Sequence, residues 1–232
     1  MYQLALRRRL CRPSLKLDWL NTQPDDGMRR IPLSRRSHIT GFQPVRQKVV
    51  EHESALERDF VLLTQFRDPA ADLVSQPETI HFMDAGKPRR YTPDFLVSWS
   101  DGRRELIEIK YRIDLRTRWA NLRPAFEAAR DWAHANGATF RIATERGIRG
   151  VELENALRLI PLRSAPLDVA ACDAVLFALK SLRAPTIGQL VSAARLERPL
   201  ALATVWRMLA QGRLLVDDLS AALLASSPVR AT

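Results

Sequence analysis

The stretch from Tyr91 to Lys110, YTPDFLVSWSDGRRELIEIK, constrains this chain more than any other part of it. Two apolar runs, FLVSW over residues 95–99 and ELIEI over 105–109, flank Ser100-Asp101-Gly102. Strand-forming runs joined through a glycine turn read as a hairpin. Asp94 enters the first strand behind Pro93, while Glu108 and Lys110 sit two residues apart in the second, a spacing that sends both side chains to one face. That face gathers two carboxylates and an ammonium. Carboxylates are hard oxygen ligands suited to Mg²⁺ or Mn²⁺, and a neighbouring lysine can orient a water or stabilise negative charge on phosphate. The competing reading is a solvated, charged strand edge, which spacing by itself does not distinguish.

The strand-turn-strand context is the setting a short motif of this kind requires. With it, Pro93-Asp94 followed by Glu108-Ile109-Lys110 resembles the PD-(D/E)xK nucleases. The upstream run Glu53-Ser54-Ala55-Leu56-Glu57-Arg58-Asp59-Phe60, then Ser75-Gln76-Pro77 and Arg90-Tyr91-Thr92-Pro93-Asp94-Phe95-Leu96-Val97, narrows the likeness. Together these motifs resemble TnsA, the endonuclease subunit of heteromeric cut-and-paste transposons, from about Ser37 to about Arg149 and more loosely beyond. The resemblance implies an active site of Glu57, Asp94, Glu108 and Lys110. Glu57, Asp94, Glu108 and the backbone carbonyl of Ile109 would be ligands for one or two Mg²⁺ ions, Mn²⁺ being an alternative, and Lys110 would position the attacking water. Where some members have glutamine, Glu108 keeps the acidic form of the motif. The implied partners are double-stranded DNA at transposon ends, a DDE transposase subunit (TnsB-like) and an AAA+ regulator (TnsC-like).

From the residues alone, Glu57 reads differently. Ala55, Leu56, Phe60, Leu63 and Phe66 recur at helical spacing before Arg67-Asp68-Pro69, and Glu57 stands off that stripe, where it could simply pair with Arg58 or a residue one turn away. Asp59 is a nearby acid without a counterpart in the motif.

Charge is distributed in a way that matters more than its total of +10. It is +8 over residues 1–50, −4 over 51–110, +4 over 111–165 and +2 over 166–232. Basic flanks around an acidic centre suit a phosphate backbone drawn toward divalent cations, and they equally suit simple solubility. Cys11 and Cys172 have no ligand-like or disulfide-framework spacing, and His38 has no second histidine at ligand distance. No apolar run is long enough to span a bilayer, and residues 1–6 are too short and wrongly flanked for a secretory signal. The expectation is a cytoplasmic, DNA-associated protein with no membrane partner.

Along the chain, residues 1–45 carry Arg7-Arg8-Arg9, Arg29-Arg30 and Arg35-Arg36 among prolines without helical period, which reads as an extended basic arm that orders on DNA or a partner and equally as a disordered solvated tail. Residues 76–83 alternate as a first strand, and Ala85-Gly86-Lys87-Pro88 turns it back into the Asp94 strand as a meander. Trp119, Leu122, Phe126, Ala129 and Ala133 mark a helix closing at Asn136-Gly137, with Pro124 kinking it or beginning its main part. Residues 138–144 then form a strand parallel to the Glu108 strand after a crossover. Arg112, Arg116 and Arg118 follow the acidic strand closely enough to hold phosphates, although an exposed helix start carries arginines in any case.

After Pro161–Pro166 the pattern changes to three helical runs, 167–182, a run capped by Thr186, and 200–211, then a short strand near Leu214. This order suggests a winged helix-turn-helix, whose last helix would enter a major groove. Arg207 and Arg213 are the cations there, too few to favour base reading over protein docking. The expectation is therefore an α/β, restriction-endonuclease-like mixed sheet flanked by helices over residues 46–160, behind the arm at 1–45 and before a winged-helix-like domain at 161–232. The function expected is metal-dependent cleavage of the 5′ strands at transposon ends. A stand-alone restriction or repair nuclease and a non-catalytic assembly module are the alternatives.

Overall fold

The computed structural model of the chain describes residues 41–45 and 48–232. The expected basic arm lies outside the described residues except for its last five, as does His38. Gly41–Val45 (β1) and Lys48–His52 (β2) form an antiparallel ladder. Ser54 then caps the helix Ala55–Arg67 (α1): its hydroxyl accepts the Glu57 N–H at 3.2 Å, which satisfies a donor the helix itself cannot. The helix buries Leu56, Phe60, Val61 and Leu63, side chains worth about 2 kcal/mol each in removal from water. It stops at Asp68 because Pro69 follows.

The next strands are Asp72–Ser75 (β3), Ile80–Asp84 (β4), Lys87–Tyr91 (β5), Phe95–Ser98 (β6) and Arg104–Ile109 (β7). A long helix, Arg112–Ala135 (α2), carries Pro124 in its interior and leads to Thr139–Ala143 (β8). Asn136 and Gly137, the latter with φ 65°, end α2 as the sequence predicts. The main sheet has the order β3-β6-β7-β8, antiparallel except for the parallel β7–β8 pair. This is the expected mixed sheet with flanking helices. Phe95, Val97, Ile107 and Ile109 pack on α1 from one face, and Leu106 packs against Ala129 and Ala133 of α2 from the other.

The meander differs from expectation. The extended run begins at Ile80 rather than at residue 76, because Gln76 takes a left-handed φ of 45° and Pro77 has no N–H to donate. Among the described residues β4 and β5 pair only with each other, and the strand beside β6 is β3, which sequence periodicity did not reveal over four residues. A two-residue turn at Ala85-Gly86, both with positive φ (47° and 74°), closes the β4–β5 hairpin in the manner favoured by strand twist.

Two helices, Glu145–Ile148 (α3) and Val151–Leu159 (α4), follow the sheet. Then come Val169–Ser181 (α5), Ile187–Ala193 (α6) and Arg198–Ala210 (α7), matching the three expected helical runs, and Thr186 and Gln189 form a reciprocal cap on α6. Leu214–Leu215 (β9) pairs antiparallel with Arg230–Ala231 (β10). Ala156 and Leu159 of α4 and Phe66 of α1 share one core cluster with α5, α6 and α7. Buried Asn155 donates to the carbonyls of Leu219 and Ala221 at 2.9 and 2.8 Å, and Arg163 donates to the last carbonyls of α1, Gln65 at 3.0 Å and Phe66 at 3.3 Å. The C-terminal helices are thus fastened to the back of α1, away from its first turn. No helix among the described residues is long and apolar enough to cross a membrane.

Candidate active site

The register that pairs Phe95 with Ile107 sets Asp94, one step outward, across from Glu108. Period-two geometry puts both on the face of Leu96 and Leu106, the α2 side of the sheet. Asp94 Oδ2 accepts the Ile109 N–H at 2.6 Å, so the residue after Pro93 is locked to the neighbouring strand. Its backbone is held as well: the Gln76 N–H donates to the Asp94 carbonyl at 2.9 Å, and Gln76 Nε2 donates to Glu53 Oε1 at 3.0 Å. The strained turn at Gln76 thereby joins the end of β3 and the lead-in of α1 to the acid between them.

Glu108 is 2% exposed. Its Oε1 lies 2.5 Å from Lys110 Nζ, and its Oε2 accepts the Tyr91 hydroxyl. Lys110 Nζ also donates to the Ile109 carbonyl at 3.2 Å. Burial pushes the Asp94 carboxyl well above the usual carboxylate range, and the nearby charges of Glu108 and Glu57 push the same way against Lys110 and the Ile109 N–H. Burial by itself would lower the Lys110 ammonium, but Asp94, Glu108 and Glu57 outweigh it and hold it above its ordinary value. Lys110 is therefore a cation and a donor, not a free base. Burial and Glu108 hold the Tyr91 phenol above its ordinary value, so it too stays a donor.

Glu57 reaches the same edge from the opposite face of the sheet, on the first turn of α1. Its carboxylate is engaged locally, accepting the Glu53 N–H at 2.6 Å and the Ser54 hydroxyl at 2.8 Å. Burial raises its pKa against those two donors, and Lys110 lowers it. It therefore feels the site without closing on it. Arg58 pairs with Asp59 at 2.8 Å rather than with Glu57, and Arg149 takes the other oxygen of Asp59 at 2.9 Å, which makes Asp59 a buried structural acid. Among the described residues no three Asp, Glu, His or Cys side chains converge tightly enough to hold one metal ion. The donor set nevertheless fits a hard divalent cation in kind: Asp94 and Glu108 lie side by side, the Ile109 carbonyl accepts from Lys110 beside them, and the charges of three acids act on one lysine. That excess of negative charge around half-buried and buried acids is what a cation would offset.

Of the expected phosphate contacts, Arg112, Arg116 and Arg118 are exposed on the first turns of α2, directly after Lys110. Arg213 is exposed at the end of α7, but Arg207 is committed internally, donating to the Pro166 carbonyl at 3.1 Å. Leu200 and Leu202 are exposed on α7 instead. Sequence reasoning missed Tyr91 and Gln76 as site residues. Tyr91 ends a strand two residues before Pro93 and reads as an apolar alternation position; only the fold brings its hydroxyl onto Glu108.

Residues 69–145 match the family model described as TnsA-like endonuclease N terminal. The match contains β3 to β8 with Asp94, Glu108 and Lys110, and leaves out Glu57 and the C-terminal helices. No curated protein matches the chain.

Proposed function

We propose, from the match of residues 69–145 to the TnsA-like endonuclease model, that the protein is a metal-dependent DNA endonuclease subunit that cuts the 5′ strands at transposon ends. The observation that carries this reading is the Asp94-Glu108-Lys110 group, Glu108 buried and the other two half-buried, at the end of β6 and β7 inside the matched segment. Asp94, Glu108 and the Ile109 carbonyl would hold Mg²⁺ or Mn²⁺, with Glu57 at the rim. Bound there, the ion would polarise the phosphate and lower the pKa of a water.

The chain's own groups do the rest. Lys110, kept protonated by the acids around it, donates to the oxygen of the attacking water and orients it toward phosphorus. Tyr91 fixes the rotation of the Glu108 carboxylate, and Ile109 N–H fixes that of Asp94. Arg112, Arg116 and Arg118, within the first two turns of α2, would take flanking phosphates, and Arg213 is a further candidate. The C-terminal helices with the β9–β10 ladder read as a winged helix-turn-helix. With Arg207 bonded to Pro166 and Leu200 and Leu202 exposed, α7 suits protein docking better than base reading. The DDE transposase and the AAA+ regulator are the partners this reading implies.

The test is strand-specific cleavage of supercoiled DNA carrying the element's ends, in Mg²⁺, with and without the transposase. Wild type is compared with Asp94→Asn, which keeps an acceptor for the Ile109 N–H while removing the charge. The expected result is a 5′-strand cut that requires both the transposase and Asp94. Cutting by wild type alone would indicate a stand-alone nuclease, and cutting by the variant would remove Asp94 from the catalytic set.

A further inference from the structure

The β4–β5 hairpin adds nothing to the main sheet, since among the described residues its strands pair only with each other. It is held from below: Ile80 is buried with Leu106, Ala129 and Ala133, and the Tyr91 ring meets Phe126 edge-on at 6.1 Å. Its outer length is left to solvent, with Lys87, Pro88, Arg89 and Arg90 all exposed. These three cations stand out in a region, residues 51–110, whose net charge is −4. Internal pairing does not account for them. Among the described residues Arg89 has only half-exposed Asp84 at 3.7 Å, and Lys87 and Arg90 meet no carboxylate within ion-pair distance. The same strand ends at Tyr91, whose hydroxyl sits on Glu108; Lys87 and Arg89 share the Tyr91 face of the strand and Arg90 takes the other, so both faces of the ribbon carry positive charge away from the carboxylate face.

We propose that this hairpin is a DNA-backbone arm, with Lys87, Arg89 and Arg90 bound to phosphates of the duplex that flanks the scissile position. The inference rests on the nuclease reading and extends it to how the substrate is held. At a rise of about 3.3 Å per residue, Lys87 lies roughly 13 Å from Tyr91, a span of about four nucleotides of one strand at 3.4 Å each. The tight turn at Ala85-Gly86 holds the cations on a preformed ribbon, and contacts of this kind position a duplex without reading its sequence. An acidic protein could also meet a basic ribbon. Duplex DNA is favoured because the ribbon is anchored on the group where a phosphodiester has to lie.

The experiment uses the full chain, a fluorescein-labelled duplex and EDTA, so that binding is read without cleavage, across a series of salt concentrations. The variant is K87Q/R89Q/R90Q, whose melting temperature should match wild type because all three side chains are exposed; Arg90→Gln alone serves as a milder second variant. The expected result is at least a tenfold loss of affinity for the triple variant, with the slope of log affinity against log salt reduced by about two to three, and a smaller change of the same kind for Arg90→Gln. Unchanged affinity and slope would overturn the arm, as would wild type that binds no duplex. Intact DNA binding with loss of transposase-dependent cutting only would assign the ribbon to a protein partner and overturn it too. Asp94→Asn, run beside it in Mg²⁺, separates the two readings: if that variant cuts like wild type while the triple variant loses its salt slope, the arm stands and the catalytic assignment falls.

Discussion

The two ends of the β6–β7 hairpin both gather acids and bases, and they handle them in opposite ways. At the turn end, Asp101 accepts the Arg103 N–H at 3.0 Å and its Nε at 2.7 Å, Asp68 accepts the Ser100 N–H at 2.7 Å, and Glu105 accepts Trp99 Nε1 at 2.8 Å and Arg141 at 3.3 Å. These groups line an open polar groove of about 490 Å³. Backbone N–H donors, that of Arg103 for Asp101 and that of Ser100 for Asp68, hold both aspartates below the usual carboxylate range. At the other end Asp94, Glu108 and Glu57 share one lysine, and burial holds Asp94 above that range. The turn end has a donor for each charge and water nearby. The site end has three acids around one lysine, an imbalance of the kind that the cation of the proposed function would offset.

The comparison breaks most plainly under matched substitutions. Asp94→Asn should reduce Mg²⁺-dependent cleavage by more than about a hundredfold, while Asp101→Asn should leave it within about twofold, with both proteins folded by circular dichroism. Equal losses at the two ends would mean that the buried group is no more a reaction centre than the turn.

The sequence made one half of this contrast legible and hid the other. Pro93-Asp94, the glycine turn and Glu108-Ile109-Lys110 predict the paired strands and the shared face because alternation is local. The long α2 and the parallel β8 were readable for the same reason, through an unbroken apolar stripe and a clear stop at Asn136-Gly137. β3 was not, since a strand of four residues has too few positions to show a period and owes its place to pairing with β6. Nor was the dual nature of Glu57, which accepts from the lead-in to its own helix and still lies close enough to feel Lys110. Tyr91 could not be assigned because its partner is seventeen residues away and across an intervening turn.

That hydrogen bond gives the next sharpening. Tyr91→Phe keeps the ring against Phe126 and removes only the donor to Glu108. A hydrogen bond to a charged group contributes about 1.5–3 kcal/mol, so the cleavage rate should fall about tenfold or somewhat more. Mn²⁺ binding, followed by electron paramagnetic resonance without DNA, should weaken as well, because a carboxylate free to rotate is a poorer ligand. A rate loss with unchanged Mn²⁺ affinity would detach Tyr91 from the ligand set.

The smallest effect concerns the charge shortage itself and is read in metal-free solution. A carboxyl whose pKa is higher in the folded chain than in the unfolded one, near 3.9 for aspartate, binds more protons when folded between those two values. Stability must then fall as pH rises through that window. Asp94 has this sign, and Glu57 adds to it. Asp68 and Asp101 have the other: their contribution is present above about 3.9 and is lost as pH drops through their lowered values. Urea unfolding in EDTA should therefore show stability decreasing with pH above about 4, by no more than about 1.4 kcal/mol per pH unit for each carboxyl. Asp94→Asn should flatten that limb, whereas Asp101→Asn should change only the acid side. Mg²⁺ should oppose the decline in wild type, since it would supply the charge that the proton supplies at lower pH. A wild-type curve that rises across the same window would mean that Lys110 alone balances the three acids, leaving no deficit for a cation to fill.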